Sequence, residues 1–380
     1  MKIILNAIVA KPAGMGGYNV AKNFYIKTLY DKENDWYYFV SQDFDKEMKG
    51  LENGLDKKHY FVFHTQPDFK HFFSDRQEIR HAEETIQPDV VYSILAPSYH
   101  KFKAVEVMRC ANAWTVVGGV NKYALKVTPF KYRLRYWLKA WITRFQMRNT
   151  KYFITQTEVA KKCILRSVPT SPENVCVVSN VLSERYNSVV INKTEHEGYN
   201  MVYISSPAIH KDYLLLPQVA SLLIRKYGLK NFKIHVTVPD NCRELFVKKQ
   251  ELYQVQDYFV IHGILGRDEL IQCYLQSDLG LFPSLLETFS ATLLEYMYFQ
   301  LPIVASDFDF NKEVTEDAAL FFEPHNADDM AEKIFQVYAN DSIKQMLLDK
   351  AKSRLDLFKN ADKFSETVHF LKLVAGRDGR

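Results

Sequence analysis

Short apolar runs alternate with amphipathic stretches of helical length along most of this 380-residue chain. That alternation constrains the fold more than any other feature. In the second half the runs are MVYISS (201–206), FKIHVTV (232–238), YFVIHG (258–263), LGLFPS (279–284), PIVAS (302–306) and ALFFE (319–323). Helical patterns over 213–227, 241–254, 267–277 and 290–299 lie between them, and 326–339, 341–357 and 361–375 read as further helices. In the first half KIILNAIVA, WYYFVS, Asp89 to Ile94, Trp114 to Val117 and Tyr152 to Thr155 read as strands. Asn19 to Tyr30 and Phe130 to Arg148 read as helices. Strands that are apolar on both faces and separated by helices predict parallel sheets covered on both sides. The length suits two such domains. The polar stretch from Leu182 to Tyr199 is the best boundary between them. We therefore expect domains over 1–182 and 183–360, with a final helix over 361–380 returning toward the first.

Composition removes several classes. Hydrophobic residues are 47% and charged residues 25%, which is ordinary for a globular protein. Cys110, Cys163, Cys176, Cys242 and Cys273 are scattered with no C-x-x-C pair, which suits a reducing cytoplasm and argues against zinc. The N-terminal run Ile3 to Ala10 is broken by Asn6 and leads into glycine-rich sequence, so it reads as a buried strand and not a signal peptide. No run approaches the ~18 apolar residues of a membrane span. Charge is unevenly placed. From Val107 to Thr157 there is no acidic residue but ten Lys and Arg, in a chain of net charge +4. The rest of the chain is thus net acidic, and the basic window points to an anionic surface or ligand.

The segment Pro283 to Asp307, PSLLETFSATLLEYMYFQLPIVASD, carries two carboxylates, Glu287 and Glu295. Glu287 follows a strand. Thr288 and Ser290 can cap the next helix, whose N-terminal amides and dipole suit a diphosphate. Glu295 lies inside that helix, where a carboxylate suits a ribose diol; Glu287, nearer the phosphate end, suits sugar hydroxyls. Two glutamates at this spacing, taken alone, read first as exposed carboxylates on an ordinary amphipathic helix; the whole segment shifts that reading.

The pattern P-S-x-x-E-x-F-x-x-x-x-L-E-x-M-x-x-x-x-P-I-V-A-S-D resembles the donor-site signature of the retaining GT-B glycosyltransferases of family 4 (glycosyl transferases group 1). Glu313-Val314, Ala318 to Pro324 and Ala327 to Ala331 resemble the segments that follow it. The resemblance is clear over about residues 200 to 340. It implies an α/β fold of two Rossmann-like, doubly wound domains facing across a cleft. It implies that Glu295 binds the nucleotide ribose, that Glu287 contacts the donor sugar, and that the amides of Phe289, Ser290 and Ala291 take the diphosphate. After the first strand of the second domain the family carries an Arg and, five residues on, a Lys. Lys211 matches the Lys, whereas Ser206 stands at the Arg position, with His210 a possible substitute.

Gly14-Met15-Gly16-Gly17 follows the first strand. As a dinucleotide fingerprint it is incomplete, since Asn19 replaces the last glycine. By resemblance Gly16 and Gly17 form a loop that meets the donor phosphates or the acceptor. The family's His after a middle strand is missing from Val116 to Asn121; His100 is the nearest alternative, with Asn121 and Lys122 comparable. Base recognition falls to the loop His262-Gly263-Ile264-Leu265.

Within the basic window, Trp137, Trp141 and Phe145 share one helical face. They read either as a core-facing stripe or as an interfacial anchor on anionic lipid through residues 126–151. No nucleic-acid module is recognisable. The triplets Asp43-Phe44-Asp45 and Asp307-Phe308-Asp309 read as chance and not as metal sites. The expected activity is a metal-independent, hexosyltransferase-type transfer from a UDP- or GDP-sugar to a saccharide hydroxyl, with retention and no further cofactor. The acceptor is expected to be lipid-linked, for polysaccharide synthesis at the inner face of the plasma membrane. A sugar-nucleotide-binding scaffold and a nucleotide-sugar epimerase are the alternatives.

Overall fold

The computed structural model describes residues 1–380 except 12–14, 49–56, 69, 117–120, 184–185, 187–188, 206–207, 360–361 and 379–380. The chain forms two compact units. The first comprises Met1–Val116, Arg135–Asn180 and Asp362–Arg380; the second comprises Val117–Leu134 and Val181–Ala361. Residues 117–134, expected with the first domain, thus group with the second.

The first unit contains strands β1 (Lys2–Ala7), β2 (Asp35–Ser41), β3 (Tyr60–Phe63), β4 (Val90–Ser93), β5 (Glu106–Arg109), β6 (Tyr152–Thr155) and β7 (Val175–Val177). They form one sheet in the order β3-β2-β1-β4-β5-β6-β7, with parallel pairs throughout. Helices α1 (Met15–Thr28), α2 (Gln42–Met48), α3 (Phe72–Ile86) and α4 (Ala113–Val116) punctuate it. Later in the chain come α5 (Lys122–Val127), α6 (Phe130–Met147) and α7 (Glu158–Ser167).

Two features of this unit depart from the sequence reading. The stretch from Trp114 begins a helical turn, not a strand, because Asn112 caps it: its side-chain oxygen accepts from the Thr115 amide at 3.1 Å. The strand lies at β5 instead, where the charged ends of EVMR hide it. Glu106 is buried and accepts from Ser93 Oγ at 2.5 Å and Thr150 Oγ1 at 3.2 Å. Arg109, also buried, donates to Asn180 Oδ1 at 2.7 Å. Burial pushes the Glu106 carboxyl up to about 7, so partial protonation as well as these hydrogen bonds eases its burial.

The second unit repeats the plan with β8 (Tyr199–Tyr203), β9 (Phe232–Thr237), β10 (Phe259–His262), β11 (Leu279–Phe282), β12 (Ile303–Ser306) and β13 (Leu320–Phe322). Their order is β10-β9-β8-β11-β12-β13, again parallel. The helices are α8 (Leu216–Arg225), α9 (Asp240–Tyr253), α10 (Arg267–Leu275), α11 (Ala291–Tyr298), α12 (Asp309–Thr315), α13 (Ala327–Ala339) and α14 (Asp341–Lys359). The final helix, α15 (Lys363–Asp378), belongs to the first unit, where Phe364 packs on Phe24 and Trp36.

Alternation along the strands builds the core on both faces. Met201, Ile234 and Leu281 face one apolar cluster, and Val202 and Phe282 face the other. Gly280 decides how closely α11 can lie on this second face. A Cβ there would meet the Tyr296 ring at 2.5 Å. The Tyr296 hydroxyl accepts from the Ile204 amide at 3.2 Å and lies 3.1 Å from the Val202 carbonyl, so the ring cannot simply move away. Gly280→Ala should destabilise the protein by about 1–3 kcal/mol, the usual cost of overpacking. A denaturant titration reads this directly, and an unchanged midpoint would show that α11 has room to shift.

Candidate functional site

The order of the second sheet reverses between β8 and β11. In doubly wound sheets ligands bind beyond the carboxyl ends of the strands at such a reversal. Two loops leave there. The loop after β8 ends in a tight turn, Ile209–Lys211, closed by Asp212 with a positive φ of 54°. The loop after β11 runs from Pro283 to Ser290. A backbone link joins them, the Leu285 amide donating to the His210 carbonyl at 2.8 Å, and the Asn121 side chain braces the second loop by donating to the Leu285 carbonyl.

This bracing brings Lys211 and Glu287 together. The Lys211 ammonium donates to Glu287 Oε1, which also accepts from Ser284 Oγ at 2.9 Å. Glu287 is buried and the Lys211 side chain only 15% exposed. The pair therefore sits where water screens it poorly, and its charges act strongly on whatever binds beside it. Ser284 is held in turn, because its carbonyl accepts from Ser306 Oγ at 2.5 Å and Asn311 Nδ2 donates to the Ser306 carbonyl at 2.8 Å. His210 does not supply the missing cation. Burial, with a smaller contribution from Lys211, pushes it down to about 3, so it is neutral at physiological pH.

Helix α11 starts immediately after Phe289 and Ser290. Ser290 occupies the N-cap position, yet its side chain makes no capping bond. The first-turn amides, Ala291 among them, thus lack that side-chain partner, which is the arrangement expected of an anion site. Glu295, one turn further, is buried and accepts from the Tyr274 hydroxyl at 2.6 Å. Tyr274 stands on α10 and fixes the carboxylate's orientation. Nothing in the spacing of Tyr274 marked it for this role, since it contacts Glu295 only through the tertiary fold.

His262 closes β10, and its Nε2 lies 3.1 Å from Nδ1 of His235. Gly263 follows with open space where a side chain would stand. Asn121 is committed to structure: besides holding Leu285, it caps α5 by accepting from the Ala124 amide at 2.9 Å. The remaining predicted residues belong to the first unit. Gly16 and Gly17 form the first turn of α1 and are not a loop. A Cβ on Gly17 would meet Leu95 at 3.0 Å, so this glycine permits close approach to the segment after β4. His100 lies in that segment; burial above all lowers it to about 4, leaving it neutral. The first sheet reverses between β1 and β4, so these three residues follow the two strands flanking its own switch point. Ser206, Gly14 and Gly118–Gly119 fall outside the described residues. Asp43 and Asp45 lie in α2, while Asp307 pairs with Lys312 at the junction of β12 and α12.

A cavity of about 540 Å³ also opens in the second unit, lined among others by Tyr123, Lys126, Asp212, Lys249, Glu323 and His325. Lys211, Glu287 and Glu295 are not among its lining residues.

The second unit thus sets a paired cation and carboxylate, Lys211 and Glu287, beside a helix start that has no side-chain cap. Residues 191–362 match the family model of glycosyl transferases group 1. The whole chain shares its fold with solved GT-B glycosyltransferases at low identity. A sucrose-phosphate synthase from Thermosynechococcus elongatus is 11% identical, with a TM-score of 0.69 and 99% of both chains covered. HepE of Anabaena, solved with UDP and glucose, is 12% identical with a TM-score of 0.70, covering 98% of this chain and 100% of that one. WaaG, a glycosyltransferase involved in lipopolysaccharide biosynthesis, is 15% identical with a TM-score of 0.68, covering 99% and 100%. No curated protein sequence matches the chain. Residues 191–362 thus resemble a glycosyl transferases group 1 domain, and the chain as a whole has the GT-B fold.

Proposed function

We propose that the protein moves a hexose from a UDP- or GDP-sugar to a hydroxyl of a lipid-linked saccharide, with retention and without a catalytic metal, as a family 4 enzyme. The bond from the anomeric carbon to the phosphate oxygen breaks, and a bond to the acceptor oxygen forms. The acceptor hydroxyl gives up its proton, and nucleoside diphosphate departs. Negative charge grows on the diphosphate as it leaves. Lys211 and the first amides of α11 stabilise that charge, Glu287 receives hydroxyls of the transferred sugar, and Glu295 holds the ribose. The observation that carries this reading is the Lys211–Glu287 pair at the β8/β11 reversal. The UDP and glucose held by HepE of Anabaena are consistent with it. A panel of UDP-, GDP- and ADP-sugars tests it. Slow hydrolysis and a thermal shift are expected with at least one UDP- or GDP-sugar; no turnover and no shift with any would sink the reading.

The acceptor's lipid anchor draws on α6. Its Tyr136 stacks on Trp114, and Ala140, Thr143 and Met147 are buried. Trp137, Trp141 and Phe145 instead stand 63%, 55% and 58% exposed. The core-facing alternative for this stripe therefore fails. Exposed tryptophans interleaved with Lys131, Arg135 and Lys139 match the chemistry of an anionic membrane surface. Among the described residues no helix is long and apolar enough to cross a membrane, so the contact would be peripheral, and we place it at the inner leaflet. The protein should co-sediment with anionic vesicles and not with neutral ones. Trp137→Ser with Trp141→Ser should weaken that binding about tenfold or more. Equal binding to both vesicle types would remove the electrostatic part.

A further inference from the structure

His235, His262 and Cys273 come from β9, β10 and α10, yet one ligand atom from each lies within 4.8 Å of the others. Register explains the convergence. His235 lies opposite Val260 and His262 lies opposite Thr237, two residues along, so both imidazoles project from the same sheet face. Cys273 belongs to the apolar cluster that covers this face, together with Val202 and Tyr274. The two ring nitrogens are 3.1 Å apart with the ring planes inclined by only 16°. A tetrahedral ion bound at ~2.0–2.1 Å to nitrogen and ~2.3 Å to sulfur needs ligand atoms roughly 3.3–3.6 Å apart. The nitrogen pair is already close to that spacing, and the sulfur lies within 4.8 Å of a nitrogen of each ring.

We propose that His235, His262 and Cys273 form a binding site for one divalent transition cation of the zinc class. Two imidazoles and a thiolate are the donor set that borderline-soft cations select over magnesium or calcium. The imidazoles are in the ligating state. Burial, then His262, His196 and Lys233, lower His235 to about 4, and burial lowers His262, so both are neutral at pH 7. The Cys273 thiol, raised by burial to about 12, must lose its proton to the incoming ion. The fourth position belongs to water. The site spans three elements on the β10 side of the sheet and needs no part in sugar transfer. It ties the end of β10 to α10, beside Tyr274. Its existence does not depend on the identity of the donor.

The test uses the full chain, stripped with chelator and titrated with Co²⁺ alone. One equivalent should bind, giving intense visible bands of a tetrahedral ion and a near-ultraviolet thiolate-to-cobalt charge-transfer band, both erased by Zn²⁺. Cys273→Ser should abolish the charge-transfer band, whereas Cys110→Ser, which removes another buried thiol, should leave it unchanged. His235→Gln should weaken binding about tenfold or more and serves as the deciding variant if Cys273→Ser does not fold. Failure of the wild-type chain to bind stoichiometrically would overturn the proposal. So would a charge-transfer band that survives Cys273→Ser, or unchanged affinity in His235→Gln. In those cases the His235–His262 contact is only a hydrogen bond between neutral rings.

Discussion

Glu295→Ala should weaken the binding of UDP or GDP, measured calorimetrically with the nucleotide alone, by about 10- to 100-fold. The estimate follows from losing one charge-assisted hydrogen bond to the ribose, at about 1.5–3 kcal/mol, with a tenfold change per 1.4 kcal/mol. The carboxylate is buried and already held by Tyr274, so little entropy is spent in ordering it when ligand arrives. Tyr274→Phe should give a smaller loss of the same kind, because it removes one hydrogen bond that orients the carboxylate without removing the carboxylate. Free UDP or GDP is the right probe, since it carries the ribose but no transferred sugar. Unchanged affinity in Glu295→Ala would dismiss the ribose assignment while leaving the rest of the site standing.

Lys211→Ala should act on rate and not on ground-state binding. If the ammonium chiefly meets charge that develops as the diphosphate leaves, kcat should fall about a hundred- to a thousandfold, with KM for the donor changing little. A second effect must be separated from this. The variant leaves the buried Glu287 without its cation, which should cost roughly 1–3 kcal/mol of stability. Lys211→Ala combined with Glu287→Gln removes that unpaired charge. Stability should recover in the double variant and the rate should not. A rate that recovered with stability would make the ion pair a structural element alone.

The sequence disclosed the second unit more fully than the first, for a physical reason. Its strands are buried on both faces and carry little charge, so they stand out as apolar runs. In the first unit β5 begins with Glu106 and ends with Arg109, both buried and hydrogen-bonded, so its letters look exposed. The stretch from Trp114 looks like a strand by composition, yet Asn112 turns it into a helix. At the site, Glu287 and Glu295 were legible because a strand, a helix start and two carboxylates lie within one continuous segment. The direct pairing of Lys211 with Glu287 was not legible, because the two loops meet only through the β8/β11 reversal. Tyr274 and the His235–His262–Cys273 cluster escaped for the same reason. Linear spacing registers ligands on one helix or hairpin, and these come from three separate elements. The stripe on α6 was visible as a helical face, but periodicity cannot tell which side of a helix meets the protein.

The most direct measurement is a crystal structure of the protein with UDP or GDP bound. The expected complex places the ribose hydroxyls on Glu295, and the diphosphate at the first amides of α11 within reach of Lys211. A nucleotide seated instead in the cavity beside Lys126, Lys249 and His325, with Glu295 and Lys211 untouched, would contradict it.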